Sequence, residues 1–340
     1  MTARAFITGV AGTRLTDAER QFVRGARPWG LILFKRNVSD PAQVSALVDE
    51  FRDAAGAEAA VLVDQEGGRV QRLGPPHWPA YPAGAWYGAQ FARDPQTGLA
   101  AARLGARLIA ADLAALGITV DCLPVADVPA PEGDSVIGDR AYGVTAAAVA
   151  AVAGAIAEGL LAGGVLPVVK HLPGHGRAAC DSHKALPVVQ AGRETLDRTD
   201  FETFRRLAGL PLGMTAHVVY TAVDPERPAT LSPTVIADVI RGAIGFAGAL
   251  MSDDLSMGAL SGTIAERTRG ALAAGCDLAL HCNGILVEME EVAAEAPALS
   301  GAAAARCAAA LAGRPRPDAR DLAEARASFS RMIAASAAAG

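Results

Sequence analysis

The sequence predicts an α/β protein built as one (β/α)8 barrel of the TIM type, and three observations support this. The chain has 340 residues, enough for one large domain. Eight short apolar runs alternate with longer stretches of helical periodicity, as expected for parallel strands joined by crossover helices. Polar residues collect just after the apolar runs, and in such barrels the functional groups lie at that end of the strands.

The predicted strands are runs rich in Val, Ile, Leu and Ala that lie between turn-forming residues. They are Ala5–Val10, Gly30–Phe34, Ala60–Asp64, Thr119–Pro124, Val165–Lys170, Pro211–Ala216, Ala249–Asp253 and Asp277–His281.

Helices are predicted between the strands, and the first two follow capping residues at Thr16 and at Ser39-Asp40. In order, the helices between the strands are Asp17–Arg24, Pro41–Ala54, Thr97–Leu116, Thr145–Ala162, Glu194–Ala208, Ser232–Arg241, Ile264–Ala274 and Ile285–Glu295. Two Ala-rich helices, Ala302–Ala312 and Leu322–Ala338, follow the last strand. We interpret residues 302–340 as helices that pack on a single barrel domain spanning residues 1–340. A doubly wound open sheet is the alternative, but Gly9-Val10-Ala11-Gly12 matches a nucleotide-binding turn only weakly.

The composition favours a protein that acts on small molecules in a reducing compartment. Apolar residues make up 51% of the chain and the net charge is −5, so a basic surface for nucleic acid is not expected. The five cysteines are odd in number and scattered, which does not suggest a disulfide framework. Neither a signal peptide nor an apolar run of about 18 residues is evident. We therefore expect a cytoplasmic monomer that binds neither membrane nor nucleic acid.

Charged and polar residues that could bind a ligand or take part in a reaction lie at the C-terminal ends of the predicted strands. They are Lys35-Arg36-Asn37, Asp64, Asp127, Lys170-His171, His217, Asp253 and Cys282-Asn283. The opposite ends of the strands carry no comparable groups. This asymmetry is typical of a barrel with a site at its C-terminal face.

Asp253 ends one predicted strand and is followed directly by Asp254. Because adjacent residues on a strand point to opposite sides, only one of the two is expected to face the barrel axis. The other is expected to be held in hydrogen bonds. An alternative interpretation makes the pair a helix cap and a first-turn acid.

The stretch KHLPGHGRAACDSHKALP, residues 170–187, is the most informative in the chain. It holds three of the six histidines, His171, His175 and His183, together with Asp181. An imidazole titrates near neutrality and can both give and take a proton. Asp181, two residues before His183, can orient that ring by accepting a hydrogen bond from it, as the acid of a catalytic triad does.

This stretch resembles the KHFPGHG…DSH signature of glycoside hydrolase family 3, specifically of the bacterial β-N-acetylhexosaminidases that recycle cell-wall sugars. Three further stretches are similar to motifs of that family and occur in the same order: DQEGGRVQR at residues 64–72, IGDR at 137–140 and SDDLSM at 252–257. The resemblance implies a retaining exo-β-N-acetylglucosaminidase that needs no metal or other cofactor. Its implied substrate is a cytoplasmic muropeptide, or another small saccharide, with a terminal N-acetylglucosamine.

The resemblance also implies a role for each matching residue. Asp253 becomes the nucleophile, and His183 with Asp181 the acid/base dyad. The residues implied to surround the sugar are Asp64, Arg72, Arg140, Lys170 and His171. The family usually has Asp-Thr after the second glycine of the loop, whereas this chain has Arg177-Ala178.

Several alternatives remain open at the level of sequence. The 2-acetamido group of the substrate can act as nucleophile with Asp253-Asp254 assisting, or phosphate can replace water as the acceptor. His171, His175, His183 and Asp181 are possible metal ligands, although the spacing H-x3-H-x7-H matches no common zinc pattern. A non-catalytic sugar-binding module is a third class. The roles of His175 and His217 are not assigned.

Overall fold

A computed structural model of the chain describes residues 2–131, 133, 136–182 and 184–338. Eight parallel strands close into a barrel. The strands are β1 Arg4–Thr8, β2 Pro28–Leu33, β3 Ala60–Val63, β4 Val120–Asp121, β5 Leu166–Leu172, β6 Leu212–Thr215, β7 Ala249–Asp254 and β8 Leu278–His281. The barrel closes where Phe6 of β1 pairs with Ala279 of β8. The predicted fold class and all eight predicted strands are therefore confirmed.

Helices surround the barrel and connect successive strands. They are α1 Asp17–Ala26, α2 Pro41–Ala55, α3 Gly84–Arg93, α4 Pro95–Ala114, α5 Ala146–Ala162, α6 Arg193–Arg198, α7 Asp200–Arg206, α8 Ile264–Ala274, α9 Leu286–Glu295, α10 Gly301–Ala312 and α11 Leu322–Ala338. Among the residues that the structure describes, no helix is long and apolar enough to cross a bilayer.

Strand alternation divides the apolar side chains between two layers. In β8, Leu278 and Leu280 belong to the cluster that fills the barrel, whereas Ala279 belongs to the cluster under the helices. Cys307 and Ala310 of α10 join the inner cluster, so this helix covers one end of the barrel. The barrel is thus a filled core, and a site can form only at an end.

The N-terminal end of the barrel is fixed by a buried charge cluster. Asp277, which precedes β8, accepts hydrogen bonds from the guanidinium groups of Arg241 and Arg306 and from the backbone N–H of Leu250. Asp277 is 3% exposed. This cluster ties β7, β8 and α10 together at the end of the barrel opposite the strand ends named above.

Two predicted helices differ from the structure. The predicted helix Glu194–Ala208 is divided into α6 and α7 at Thr199, whose backbone leaves the helical region with φ −117° and ψ −81°. The hydroxyl of Thr199 donates to the carboxylate of Asp200 over 2.6 Å, which favours this local turn over a continuous helix. The helix predicted at Ser232–Arg241 is a π-helical segment, Val235–Ala243.

Helix α3 was not predicted, and its two glycines explain its position. Gly84 and Gly88 lie one turn apart, and a Cβ at either position would overlap the carbonyl oxygen of Arg140 or Tyr142, respectively. The loop that carries Arg140 therefore packs directly on the backbone of α3. The short hairpin Gln65–Gly67 with Val70–Gln71 and the small sheet of Val188–Val189, Val219–Tyr220 and Asp224–Pro228 were also missed.

Candidate functional site

A cavity of about 360 Å³ opens at the C-terminal ends of the strands, a volume suited to a small ligand. Seven of the residues proposed from the sequence line it: Asp64, Arg72, Arg140, Lys170, His171, Asp181 and Asp253. The eighth, His183, lies outside the described residues. The structure therefore brings together every proposed residue that it describes.

Asp253 and Asp254 end β7 and both border the cavity, whereas the sequence led us to expect only one of them there. Their hydrogen bonding nevertheless differs. The Asp254 carboxylate accepts from the backbone and hydroxyl of Ser256 and from the backbone N–H of Cys282. Asp253 accepts at Oδ1 from the N–H of Asp254 over 2.8 Å, and among the described residues its Oδ2 has no donor. Asp253 thus presents an uncommitted carboxylate oxygen.

The charge state of Asp253 suits a nucleophile. Burial alone would raise its pKa, but neighbouring basic side chains, among them Lys170, and the hydrogen bond from the N–H of Asp254 outweigh that effect. The pKa of Asp253 therefore lies below its ordinary value. The carboxylate is ionised at neutral pH, the state needed for attack on a carbon.

A network of ion pairs lines the opposite side of the cavity. Lys170 Nζ lies 2.8 Å from Asp64 Oδ1 and 2.7 Å from Glu66 Oε1. Arg140 grips Glu66 with two hydrogen bonds of 2.8 Å, and Arg72 bonds the other oxygen of Asp64 over 2.9 Å. β3 and β7 lie diametrically opposite in the strand order, so Asp64 and Asp253 face each other across the barrel mouth.

The network holds its members ionised despite their burial. Burial opposes ionisation of Asp64, yet Lys170 and Arg72 hold its pKa far below the ordinary value. Arg140 and Lys170 likewise overcome burial and lower the pKa of Glu66 to about 2. The side chains are therefore fixed charged acceptors and donors, which is the chemistry that recognises sugar hydroxyls.

Arg72 is also held by an aromatic ring. Its guanidinium carbon lies 5.0 Å from the ring centroid of Phe34, at the end of β2. This cation–π contact and the bond to Asp64 fix the arginine from two sides. Phe34 and Arg72 together form part of the cavity wall.

His171 and the loop after β5 are organised by Asp127. Its Oδ2 lies 2.6 Å from His171 Nδ1, and its Oδ1 accepts from the backbone N–H groups of His171 and His175. His175 Nε2 lies 3.1 Å from the hydroxyl of Ser182. The loop residues Ser182 and His175 are each 3% exposed, so the segment next to Asp181 is bound to the barrel.

Sequence reasoning missed two acids of this site. The sequence assigned no role to Glu66, which lies within the motif at residues 64–72, and placed Asp127 at a strand end without a role. Both are buried, and each is the partner of basic residues that the sequence did identify. The excess of proposed cations over proposed anions around the sugar was the available signal, because buried charges need partners.

The two histidines without an assigned role both have defined partners. His175 contacts Ser182, as described above. His217 is fully buried after β6 and contacts Thr230 and the backbone of Asp254. Among the described residues, which exclude His183, no group of three or more His, Cys, Asp or Glu side chains is arranged to hold a metal ion.

Comparison with known proteins finds relatives over most of the chain. The profile for the "Glycosyl hydrolase family 3 N terminal domain" matches residues 7–310. The chain is 42% identical over 280 residues to a beta-hexosaminidase of Alkalilimnicola ehrlichii, covering 81% of this chain and 79% of the relative. It is 38% identical over 303 residues to a beta-hexosaminidase of Xanthomonas euvesicatoria, covering 87% and 89%.

Solved structures show the same likeness. NagZ from Neisseria gonorrhoeae in complex with N-trifluoroacetyl-D-glucosamine is 32% identical with a TM-score of 0.80, over 92% of this chain and 97% of that one. A glycoside hydrolase family 3 β-N-acetylglucosaminidase from Paenibacillus is 32% identical with a TM-score of 0.85. The match to the Paenibacillus enzyme covers 96% of this chain and 66% of that longer chain.

Proposed function

The chain belongs to glycosyl hydrolase family 3, and from this premise we propose that it is an exo-acting, retaining β-N-acetylglucosaminidase. The proposed substrate is a peptidoglycan fragment whose terminal N-acetylglucosamine is linked to anhydro-N-acetylmuramic acid. The single observation that carries the mechanism is the Asp253 carboxylate, which borders the cavity and has one oxygen with no donor among the residues that the structure describes.

The first step of the proposed reaction is attack by Asp253. An Asp253 carboxylate oxygen forms a bond to the anomeric carbon while the bond from that carbon to the leaving-group oxygen breaks. The imidazolium of His183 gives its proton to that oxygen. The leaving sugar departs as an alcohol, and a glycosyl ester remains on Asp253.

The second step reverses these roles. Neutral His183 takes a proton from a water molecule, the water oxygen bonds to the anomeric carbon, and the Asp253 carboxylate departs. The two displacements retain the β configuration. Asp181 orients and stabilises the imidazolium. The position of Asp181 in the cavity wall supports this dyad.

The charged network is proposed to bind the far edge of the sugar ring. With the anomeric carbon at Asp253 on β7, the opposite edge of the ring meets Asp64, Lys170 and Arg72 near β3 and β5. Hydroxyl groups there can donate to Asp64 and accept from the two cations. Because this side of the cavity is closed by ion pairs, a terminal sugar fits better than an internal one, which supports exo action.

Hydrogen bonding of Asp254 argues against the substrate-assisted mechanism. In that mechanism the second carboxylate of such a pair must accept a proton or hydrogen bond from the 2-acetamido group. Oδ1 of Asp254 already accepts from two backbone N–H groups and its Oδ2 from the Ser256 hydroxyl, which leaves it fewer acceptor positions than Asp253, whose Oδ2 has no donor among the described residues. The direct nucleophile is therefore the better supported of the two.

Hydrolysis of aryl β-N-acetylglucosaminides by the wild type, Asp253→Ala and His183→Ala tests the proposal. We expect Asp253→Ala to lose at least about 10³-fold in kcat and to recover with azide, which enters the space left by the carboxylate. His183→Ala should lose much less on an activated dinitrophenyl leaving group than on a phenyl one. An active Asp253→Ala would overturn the assignment of the nucleophile, and an inactive wild type would overturn the activity.

A product assay shows whether water or phosphate accepts the sugar. Chromatography of products formed in phosphate buffer distinguishes N-acetylglucosamine from its 1-phosphate. The same assay with the disaccharide N-acetylglucosaminyl-anhydro-N-acetylmuramic acid, with and without a peptide stem, tests the proposed substrate. Cleavage of chitobiose without cleavage of either muropeptide would contradict the role in peptidoglycan recycling.

We also propose that residues 1–340 act as one catalytic domain, that the protein is a monomer and that it works in the cytoplasm. Five free cysteines, four of them buried, support the reducing compartment. Sedimentation velocity tests the monomer, limited proteolysis tests the single domain, and cell fractionation tests the location.

A further inference from the structure

His217 follows β6 and is 0% exposed, yet both of its ring nitrogens have partners. Nδ1 lies 2.7 Å from the hydroxyl of Thr230, and Nε2 lies 2.9 Å from the backbone carbonyl oxygen of Asp254. Asp254 is the residue directly after the proposed nucleophile. His217 does not line the cavity, so its contacts are with the protein.

The partners fix which ring nitrogen carries the proton. A carbonyl oxygen only accepts hydrogen bonds, so Nε2 must be the donor to Asp254. Burial lowers the pKa of His217, which leaves the ring neutral and Nδ1 an acceptor. The Thr230 hydroxyl then donates to Nδ1 in preference to the Ala216 carbonyl at 3.1 Å, and itself accepts from the Thr215 hydroxyl over 2.7 Å.

This chain of hydrogen bonds lies where the regular pairing between β6 and β7 has ended. The main-chain pairing of β7 with β6 covers Ala249 to Met251 and ends there, although β7 continues to Asp254. The pairing of β7 with β8 also shifts register between Met251 and Asp254. On the β6 side, the backbone that carries Asp253 therefore lies beyond the ladder, whereas on the β8 side Asp254 pairs with Leu280. His217 supplies the missing link between β6 and this end of β7.

We propose that His217, oriented by Thr230, is a positioning residue that holds Asp253 at the distance and angle required for attack on the anomeric carbon. This inference rests on the proposed function, with Asp253 as nucleophile. His217 bonds the carbonyl oxygen of Asp254, in the Asp254–Leu255 peptide, and the backbone N–H of Asp254 bonds Asp253 Oδ1. Loss of the histidine bond removes the support of this backbone from the β6 side, while the Leu255 N–H still bonds the Leu280 carbonyl oxygen of β8 over 2.9 Å.

The test compares His217→Leu, His217→Gln and Thr230→Val on an aryl β-N-acetylglucosaminide. A glutamine amide can keep an N–H near the position of Nε2, whereas leucine cannot. We expect His217→Leu to lower kcat about 100-fold, the effect of a misplaced reacting group, with KM changed by no more than about twofold. His217→Gln should recover at least about tenfold of the loss, and Thr230→Val, which keeps the side-chain shape, should lose about three- to tenfold.

A second readout isolates the step that His217 serves. The rate at which a 2-fluoro sugar accumulates covalently on Asp253 should fall in parallel with kcat in the same variants. His281→Leu is the matched control, because His281 is also a fully buried histidine of the barrel but bonds Glu288 of α9. It should lose stability while the trapping rate stays within about twofold of wild type.

The outcomes separate this inference from the function itself. A wild type that does not hydrolyse the substrate would defeat the proposed function. An active wild type whose folded Thr230→Val and His217→Gln variants trap the sugar at the wild-type rate, with His217→Leu no worse than His281→Leu, would overturn the role of His217 alone. A loss in His217→Leu that glutamine does not restore, accompanied by a raised KM, would also overturn it.

Discussion

Lys170 and Asp64 form an ion pair of 2.8 Å across the ends of β5 and β3, with side chains that are 3% and 15% exposed. The same ammonium also bonds Glu66. Replacement of Lys170 by Met should leave two buried carboxylates without their shared cation. We expect a loss of about 3–5 kcal/mol in the free energy of unfolding, measured by urea denaturation, and loss of sugar binding.

Arg69 provides the control for the Lys170 prediction. It also lines the cavity and pairs with Asp139 over 2.9 Å, but these side chains are 47% and 50% exposed. Because water screens such a pair, Arg69→Met should cost less than about 1 kcal/mol. Equal losses of unfolding free energy in Lys170→Met and Arg69→Met would show that burial does not strengthen the effect of the Lys170 ion pairs on stability.

Asp127→Asn should impair the sugar site while the fold is kept. The asparagine oxygen can still accept from the backbone of the loop, but its NH2 group would face His171 Nδ1, which now bonds a carboxylate oxygen at 2.6 Å. The histidine then has to take the other tautomer. By analogy with partners that orient other histidines, we expect a loss of about 10- to 100-fold in kcat/KM, measured with the aryl glycoside. Unchanged kinetics would show that the Asp127–His171 bond does not orient the ring.

The pH dependence of stability should reveal His175. Burial, with a smaller contribution from His171, lowers its pKa from 6.5 to about 4. Since the folded state binds the proton less tightly than the unfolded state, the stabilisation is complete above pH 6.5 and is lost as the pH falls towards 4. Thermal unfolding between pH 7.5 and 4 should show this loss in the wild type. The loss should be smaller in His175→Gln, and identical slopes in the two proteins would contradict the prediction.

Asp277→Ala should separate stability from activity. The substitution removes the shared acceptor of Arg241, Arg306 and the Leu250 N–H at the N-terminal end of the barrel. We expect a loss of about 3–5 kcal/mol in unfolding free energy with kcat within about twofold at 20 °C, because catalytic groups lie at the opposite end. A large fall in kcat in the folded variant would mean that the cluster controls the site at a distance.

Much of the fold could be predicted because barrel strands are buried on both faces and appear as short apolar runs. The strand β4 shows where this signal weakens: six residues, Thr119–Pro124, were predicted, and the ladder covers only Val120–Asp121. Helix α3 escaped because its glycines weaken the helical pattern. These glycines allow close contact of the helix with Arg140 and Tyr142, and a local sequence pattern cannot predict such a tertiary contact.

The candidate site shows a similar division between local and tertiary information. Asp64, Lys170 and Asp253 could be found because each directly ends a predicted strand. Glu66 lies in a short hairpin after β3, and its pairing with Arg140 joins residues 74 positions apart in the chain. Likewise, the bond between His217 and the Asp254 carbonyl depends on how far the β6–β7 ladder extends. Neither the Glu66–Arg140 pair nor the His217–Asp254 bond can be predicted from the residues that neighbour Glu66 or His217 in the sequence.

The close packing of α3 on the Arg140 loop also limits how this protein can evolve. A methyl group at Gly84 or Gly88 would push away the carbonyl of Arg140 or Tyr142, and Arg140 would then lose its grip on Glu66. In a saturation library screened for colour from a chromogenic substrate, we expect both positions to return almost only glycine. Exposed Ala85 on the same helix should accept many residues. Selection for sugar binding would thus also constrain Gly84 and Gly88 of α3, which act through the loop that carries Arg140.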